Sequence, residues 1–493
     1  MTLERPHRLG DLDPTRFVPV GVREEIRRNL IRRLRGGDDP ASLFPGIVGY
    51  SETVVPQLIN ALLAKHDIIL LGLRGQAKTR LCRQIIHLLD EAIPVVPGCP
   101  LRSHPLRPLS RWARDRIESE GDDLRIEWLE PRQRYNEKLA TPDVSMADLI
   151  GDLDPIKAAH QKLDLSDERV IHYGIIPRSN RGLFTVNELP DLAPRIQVGL
   201  LNILEEQDVQ IRGFPVRVDL DVLLLFTANP EDYTNRGSII TPLKDRIASQ
   251  ILTHYPAALD EAHRITEEEA WLERDEVDPV VVLPFVADIV EAIAFHGRRS
   301  EYVDQTSGVS ARLSIAAREL LVSQVERRSL TVAGSSPLAR LVDIAQLIPA
   351  LTGKMELVYE GEQEGTVQVA RRLMTHATQE IFDRHFPDVM QEGREGSSES
   401  DRYKPALDWF ATGNRVELSD SMPDREYLST LEAVPGLAAL ADEFLPQPDP
   451  LARGAAMELV LEGLYAHSML AKQDVRRGCA YTDMLGVMME GLR

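Results

Sequence analysis

The sequence predicts an α/β protein with a parallel sheet, followed by an α-helical lid and a mainly helical C-terminal region. Short apolar runs at 66–72, 181–188 and 222–230 alternate with helical patterns. That alternation is typical of parallel strands joined by helices. From about 281 to 388 the apolar residues follow a helical period instead, for example in "ARLSIAARELLVSQVERR" (311–328).

The composition excludes several classes of protein. The chain has 77 acidic and 57 basic residues and a formal charge of −20, which argues against coating a nucleic acid duplex. Three widely spaced cysteines predict neither disulfides nor a zinc cluster. No apolar run approaches the roughly 20 residues of a membrane helix, and "MTLERPHRLGDLDP" lacks the apolar core of a signal peptide. We expect a soluble cytoplasmic protein without membrane insertion.

A length of 493 residues allows about two to four domains. The helical pattern of 21–35, with its Arg-rich outer face, predicts a helix docked on the following domain, with an anionic partner as the alternative. The segment "QEGREGSSESD" is typical of a flexible linker. The predicted regions are an N-terminal extension (1–41), the α/β core (42–255), a helical lid (256–390), the linker (391–401) and the C-terminal region (402–493).

The stretch "LLGLRGQAKTRL" (70–81) resembles a phosphate-binding loop in which Ala77 replaces the last glycine. An apolar strand precedes it and a helical pattern follows, which is the arrangement that directs backbone N–H groups towards phosphate. We expect Lys78 to reach the β- and γ-phosphates and Thr79 to bind Mg²⁺. Ala77 costs little if its φ is negative. The predicted nucleotide-binding residues are Gly72, Gly75, Gln76, Ala77, Lys78, Thr79 and Arg80.

Two later strands end in polar residues that suit a hydrolytic site. "GLFTVNELPDL" (182–192) ends its apolar run at Asn187 and Glu188, and "LLLFTANP" ends at Asn229. Glu188 is the candidate base for the attacking water, and Asn229 is the candidate sensor of the γ-phosphate. Asn187 stands where an aspartate is usual, so we expect weaker retention of Mg²⁺, which favours carboxylates. We also expect Asn187→Asp to lower the magnesium requirement.

With these motifs in hand, the chain resembles the AAA+ ATPases over roughly 42–385. Within them it is most similar to the branch that holds the MoxR ATPases and the magnesium-chelatase ATPase subunit. "FPGIVGYSE" (44–52) resembles the opening of their nucleotide domain, and that branch also carries alanine before the loop lysine. "TPLKDRI" (241–247) and "SGVSARLSIAARELL" (307–321) resemble the arginine-finger box and the second sensor, which points to Arg246 and Arg312 as catalytic residues.

The resemblance implies an ATP- and Mg²⁺-dependent motor that remodels a partner protein. It also implies a homo-oligomeric ring, a hexamer, and a partner with a von Willebrand A domain. A genuine magnesium-chelatase subunit acting on protoporphyrin is the first alternative. A non-hydrolytic, nucleotide-gated scaffold is the second, and Asn187 favours it. A sigma-factor-remodelling activator is the third, although the chain lacks a "GAFTGA"-like loop. The stretch 97–140 has no assigned role, and 146–180 is expected to be a solvated, hairpin-like insert.

Overall fold

The computed structural model describes residues 5–164, 167–211, 217–230, 238–389 and 402–484. The chain divides into two compact units, Met1–His254 and Tyr255–Arg493. The linker predicted at 391–401 lies outside the described residues. No helix in the described ranges combines the length and the apolar character that crossing a membrane requires.

The first unit is built on a five-stranded sheet. The described strands of the unit are β1 (Ile68–Leu71), β2 (Ile93–Val95), β3 (Glu127–Leu129), β4 (Tyr135–Leu139), β5 (Gly151–Leu153), β6 (Ile171–Tyr173), β7 (Gly182–Asn187), β8 (Asp208–Gln210), β9 (Arg217–Asp219), β10 (Val222–Ala228) and β11 (Ser249–Leu252). The sheet order is β11-β1-β10-β7-β4, and all four pairings are parallel. The other six strands form two-stranded antiparallel ladders. The predicted fold class, a parallel α/β domain followed by a helical region, is therefore confirmed.

Helices cover both faces of this sheet. The described helices of the first unit are α1 (Val22–Arg35), α2 (Val54–Leu63), α3 (Lys78–Gln84), α4 (Arg111–Glu120), α5 (Met146–Leu149), α6 (Pro155–Gln161), α7 (Ile175–Arg178), α8 (Pro194–Gly199), α9 (Leu201–Glu206) and α10 (Thr241–Arg246). Successive strand residues point to opposite faces. Ile68 and Leu70 accordingly belong to the core on the α3 side, and Ile69 and Leu71 to the core on the other side.

The N-terminal helix α1 docks on this domain through buried charge. Glu25 accepts two hydrogen bonds of 2.6 Å from the guanidinium of Arg134, and both side chains are almost fully buried. Asp221 accepts from the backbone N–H of Val22 at 2.9 Å, which places a carboxylate at the positive end of the helix. Arg23 also forms an ion pair with Asp67 at 2.6 Å. These contacts place part of the arginine-rich face against the protein.

The second unit is mainly helical. Its helices are α11 (Leu259–Glu269), α12 (Pro284–Gly297), α13 (Arg312–Thr331), α14 (Ile348–Thr352), α15 (Tyr359–Glu364), α16 (Thr366–His385), α17 (Lys404–Ala411), α18 (Asp424–Glu432), α19 (Leu437–Phe444) and α20 (Pro450–Ala466). A single hydrophobic core extends from Leu283 to Tyr481, so residues of the predicted lid and of the predicted C-terminal region are buried together.

The C-terminal region also contains strands that the sequence did not predict. These are β12 (Val416–Ser419), β13 (Leu470–Val475) and β14 (Gly478–Asp483), which form an antiparallel sheet in the order β12-β14-β13. Their sequences carry charged residues between few apolar ones, so the strand period is weak. The segment 146–180 forms α5, α6 and the β5–β6 ladder, and 97–140 supplies α4, β3 and the edge strand β4.

Candidate nucleotide-binding site

The glycine loop lies between the C-terminal end of β1 and the N-terminal end of α3, as the motif predicts. Gly72 has no room for a side chain, because an added Cβ would lie 1.9 Å from Thr253 Oγ1 and 2.1 Å from Gln76 Oε1. Gly75 has a φ of +73°, which is the left-handed region that favours glycine. Both glycines are thus required by the shape of the loop.

Gln76 shapes the loop through its side chain. The side chain is buried, and its Oε1 accepts from Thr253 Oγ1 at 2.8 Å. The hydroxyl of Tyr50 lies 2.8 Å from the carbonyl oxygens of Gln76 and His254. The loop is therefore attached to the residues that follow β11 and to the 44–52 segment.

Ala77 corrects one expectation from the sequence. The condition that its φ be negative is not met, since Ala77 has φ +53° and ψ +19°. A left-handed conformation places the Cβ of an L-residue close to the following carbonyl oxygen and costs roughly 1–2 kcal/mol. Ala77 therefore occupies a position at which glycine would be less strained, and the rest of the loop holds it there.

Lys78 begins α3 and is directed into the loop. It is 7% exposed, and its Nζ donates to the carbonyl oxygens of Gly72 and Leu73, the latter at 2.9 Å. Nζ also donates to Asn229 Oδ1 at 2.6 Å. The loop lysine and the polar end of β10 are thus brought together, as the motif order predicted.

The ends of β7 and β10 bring the remaining polar residues beside Lys78 and Thr79. Thr79 Oγ1 donates to Asn187 Oδ1 at 2.9 Å, and Thr227 Oγ1 lies 3.2 Å from the same oxygen. Asn229 Nδ2 donates to Glu188 Oε2 at 3.1 Å. Glu188 has φ +55°, a strained conformation for a non-glycine residue at the end of a strand.

A further carboxylate, Glu137, lies on the same side of the sheet. Arg83 holds it through two guanidinium nitrogens, with Nε at 3.0 Å, and the Tyr135 hydroxyl donates to it at 2.8 Å. The Arg83 hydrogen bonds lower the pKa of Glu137, and hydrogen bonds from Tyr135 and Asn187 act in the same direction. The neighbouring Cys82 is inert, because burial raises its thiol pKa to about 12.

Arg80 lies beside the 44–52 segment. An added Cβ on Gly46 would lie 2.5 Å from an Arg80 guanidinium nitrogen, and Gly46 itself has φ +72°. The left-handed φ favours glycine at position 46.

Arg246 and Arg312 are the two arginines that the sequence predicts to be catalytic. Arg246 ends α10, where its guanidinium pairs with Glu205 Oε2 at 2.7 Å and donates to the carbonyl oxygen of Pro242 at 3.1 Å. Arg312 begins α13 in the second unit, and its backbone N–H donates to Ser310 Oγ at 3.1 Å. Neither of the described contacts of Arg246 is with the glycine loop.

Sequence analysis missed Tyr50, Thr227, Thr253 and Glu137. Tyr50 lies in the 44–52 segment and Thr253 follows β11, and both contact the loop from distant parts of the chain, so no local motif reveals these contacts. Thr227 lies two residues before Asn229 and therefore on the same face of β10, which is a usable signal once the strand is assigned. Glu137 lies on an edge strand, "YNEKL", whose pattern is too polar to predict a strand.

No protein-family model matches the chain, and no curated protein matches it. Among solved structures, it is similar to NtrX from Brucella abortus bound to ADP, with 15% identity and a TM-score of 0.37 over 73% of this chain and 67% of that one. It is also similar to the magnesium-chelatase complex of BchI and BchD, with 18% identity and a TM-score of 0.34 over 68% and 94%. At these values neither similarity assigns an activity.

Proposed function

We propose that the first unit binds ATP with Mg²⁺ and hydrolyses it, as an AAA+ motor of the MoxR-like branch. The observation that carries this proposal is the position of Lys78. Its buried ammonium group lies inside a glycine loop at a helix N-terminus, next to Asn229 and one residue before Thr79. A cation in that position suits the β- and γ-phosphates of a nucleotide.

The surrounding residues have separate roles in this proposal. Lys78 binds the phosphates, and the loop backbone directs its N–H groups towards them. Asn229 orients the attacked phosphate and holds Glu188, which accepts a proton from the attacking water. The hydrogen bond between Asn229 and Glu188 places the sensor and the base on adjacent strand ends.

The residues present fit a magnesium ion that is held mainly by nucleotide. Thr79 Oγ1 and Asn187 Oδ1 are hard oxygen donors that lie 2.9 Å apart. Within the described residues no group of three or more His, Cys, Asp or Glu could hold a metal ion without further ligands. The ion would neutralise phosphate charge, and Thr79 and Asn187 would fix its position relative to the loop.

Turnover and binding, measured separately, test this proposal. Unmodified protein should hydrolyse ATP, and Glu188→Gln should keep its ATP affinity while turnover falls by about 10²–10⁴-fold, because only the proton acceptor is removed. The matched control is Glu91→Gln, an exposed carboxylate of the same unit, which should change neither quantity. Absence of turnover in the unmodified protein, with ATP bound, would instead favour the nucleotide-gated scaffold, to which the uncharged Asn187 also points.

We further propose that the protein works as a ring, a hexamer, in which Arg246 acts on the nucleotide of a neighbouring subunit. Arg246 carries a guanidinium that is about one third exposed (32%) at the end of α10, and it suits the charge of a transferring phosphoryl group. The motif order that resembles the MoxR branch also supports a partner with a von Willebrand A domain. Arg312 is proposed to contact nucleotide as the second sensor.

Mixing inactive variants tests the shared site. Arg246→Ala and Lys78→Ala chains should each be inactive, and their mixture should recover part of the activity, because some interfaces then pair an intact loop with an intact arginine. Lack of recovery, with subunit exchange demonstrated by labelled chains, would contradict a role for Arg246 across an interface.

A further inference from the structure

Helix α3 contacts two neighbouring strands through residues one turn apart. Thr79 donates to Asn187 on β7, and Arg83 donates to Glu137 on β4. In the parallel register of these strands Leu139 pairs with Asn187, and Glu137 pairs with Thr185. Glu137 and Asn187 therefore lie on the same face of the sheet, diagonally adjacent beneath α3.

The hydrogen-bonding capacities of the Asn187 carboxamide and the Glu137 carboxylate determine how the carboxamide is oriented. Its Oδ1 accepts from Thr79 and lies 3.2 Å from the hydroxyl of Thr227. Glu137 lies diagonally adjacent to Asn187, and an ionised carboxylate only accepts hydrogen bonds, so the group that Asn187 can offer to Glu137 is its NH₂. Arg83 and Tyr135 hold that carboxylate in place. The reversed carboxamide would place its oxygen towards the carboxylate of Glu137, where it finds no donor, and its NH₂ towards the hydroxyls of Thr79 and Thr227.

We infer that Glu137 is a positioning residue of the site: it holds the Asn187 carboxamide with its oxygen towards Thr79, where a magnesium ion would be bound. This inference rests on the proposed function. It also explains why an asparagine suits position 187. An aspartate there would place two carboxylates side by side without a donor between them, and such pairs repel and resist ionisation together. Asn187→Asp alone should therefore not lower the magnesium requirement of this protein, contrary to the expectation from the sequence.

The experiment compares four proteins: unmodified, Asn187→Asp, Glu137→Gln and the double variant. ATP affinity is measured with Mg²⁺ and again with a chelator, and the ratio gives the gain in affinity due to magnesium. In each single variant the gain should fall about tenfold, which corresponds to about 1.4 kcal/mol, because one polar group is left without a matching partner. The double variant should recover most of it, because the amide introduced at position 137 can donate to the carboxylate introduced at position 187. Affinity in chelator should stay constant throughout.

Two further variants and a folding measurement provide the controls. Glu120→Gln removes a carboxylate that pairs with Arg116 on α4, and it should leave the magnesium gain unchanged. Thermal unfolding without nucleotide monitors whether each variant is folded. If Glu137→Gln unfolds, Arg83→Gln replaces it, since Arg83 is more than half exposed (56%) and its loss should also reduce the magnesium gain. An unchanged gain in Arg83→Gln would contradict the inference.

The outcomes separate the inference from the proposed function. If the unmodified protein binds ATP with a magnesium gain and the losses of the two single variants simply add in the double variant, Glu137 does not position Asn187. If the unmodified protein binds no ATP, the proposed function fails and the inference fails with it. The inference is supported only if the double variant recovers the magnesium-dependent gain in ATP affinity that each single variant loses.

Discussion

The carboxamide oxygen of Asn229 accepts a hydrogen bond of 2.6 Å from the ammonium group of Lys78. The same side chain donates to Glu188 at 3.1 Å. Asn229 therefore connects the phosphate-binding lysine to the candidate base. A bound γ-phosphate would accept a hydrogen bond from Lys78 in competition with Asn229, and Glu188 would keep its contact with the Asn229 carboxamide.

From this relationship we expect Asn229→Ala to affect turnover more than binding. Turnover should fall by about 10²–10³-fold, the usual loss when one positioned hydrogen-bond donor is removed, while ATP affinity changes by less than about tenfold. The control is Asn136→Ala, which removes the hydrogen bond that Asn136, on the edge strand β4, donates to Ser179. Equal losses of affinity and turnover would show that Asn229 acts only in binding.

Ala77 gives a prediction about stability. Because its φ is +53°, Ala77→Gly should relieve strain and raise the free energy of unfolding by about 1 kcal/mol. Ala64→Gly is the matched control, since exposed Ala64 follows α2 with φ −80°, and there glycine should destabilise by about 0.5–1 kcal/mol. Urea denaturation of both variants measures whether each substitution raises or lowers the free energy of unfolding. Destabilisation by Ala77→Gly would contradict the left-handed conformation.

His104 gives a prediction about acid stability. Burial lowers its pKa to about 3, with Arg181 adding to the effect, and Nδ1 accepts from the Leu106 N–H at 3.0 Å. The unfolded chain therefore binds more protons than the folded chain between about pH 6.5 and 3. Stability should fall as the pH drops through that window, by up to about 1.4 kcal/mol per unit.

The substitution His104→Asn tests the assignment, because its side-chain oxygen can keep the Leu106 contact without titrating. Urea denaturation between about pH 7 and 5 should show a shallower loss of stability for His104→Asn than for the unmodified protein. His172→Asn, at an exposed position on β6, should leave the slope unchanged. Identical slopes for all three proteins would exclude His104 as the source.

The sequence predicted those parts of the fold that depend on local pattern. β7 and β10 are almost entirely apolar and are buried on both faces, so their runs stand out. β4 and β11 carry polar residues and were not predicted, because they form the two edges of the sheet and are only partly buried. The φ of Ala77 was equally inaccessible, since the closure of the loop against Thr253 and Tyr50 determines it.

The candidate site followed the same rule. Lys78, Asn229 and Glu188 were predicted because each follows a recognisable strand or glycine loop, and the structure brings these three side chains into contact. The role of Glu137 depends on the register between β4 and β7, which a single sequence does not reveal.

The most direct test of the central claim is equilibrium binding of ATP to the unmodified protein and to Lys78→Ala. We predict saturable binding to the unmodified protein and a loss of about 100-fold or more in Lys78→Ala, because the charge on the β- and γ-phosphates is removed. Lys65→Ala, which removes an exposed lysine paired with Glu24, should bind ATP like the unmodified protein. Equal affinity in Lys78→Ala, or no binding to the unmodified protein, would contradict the nucleotide-binding site.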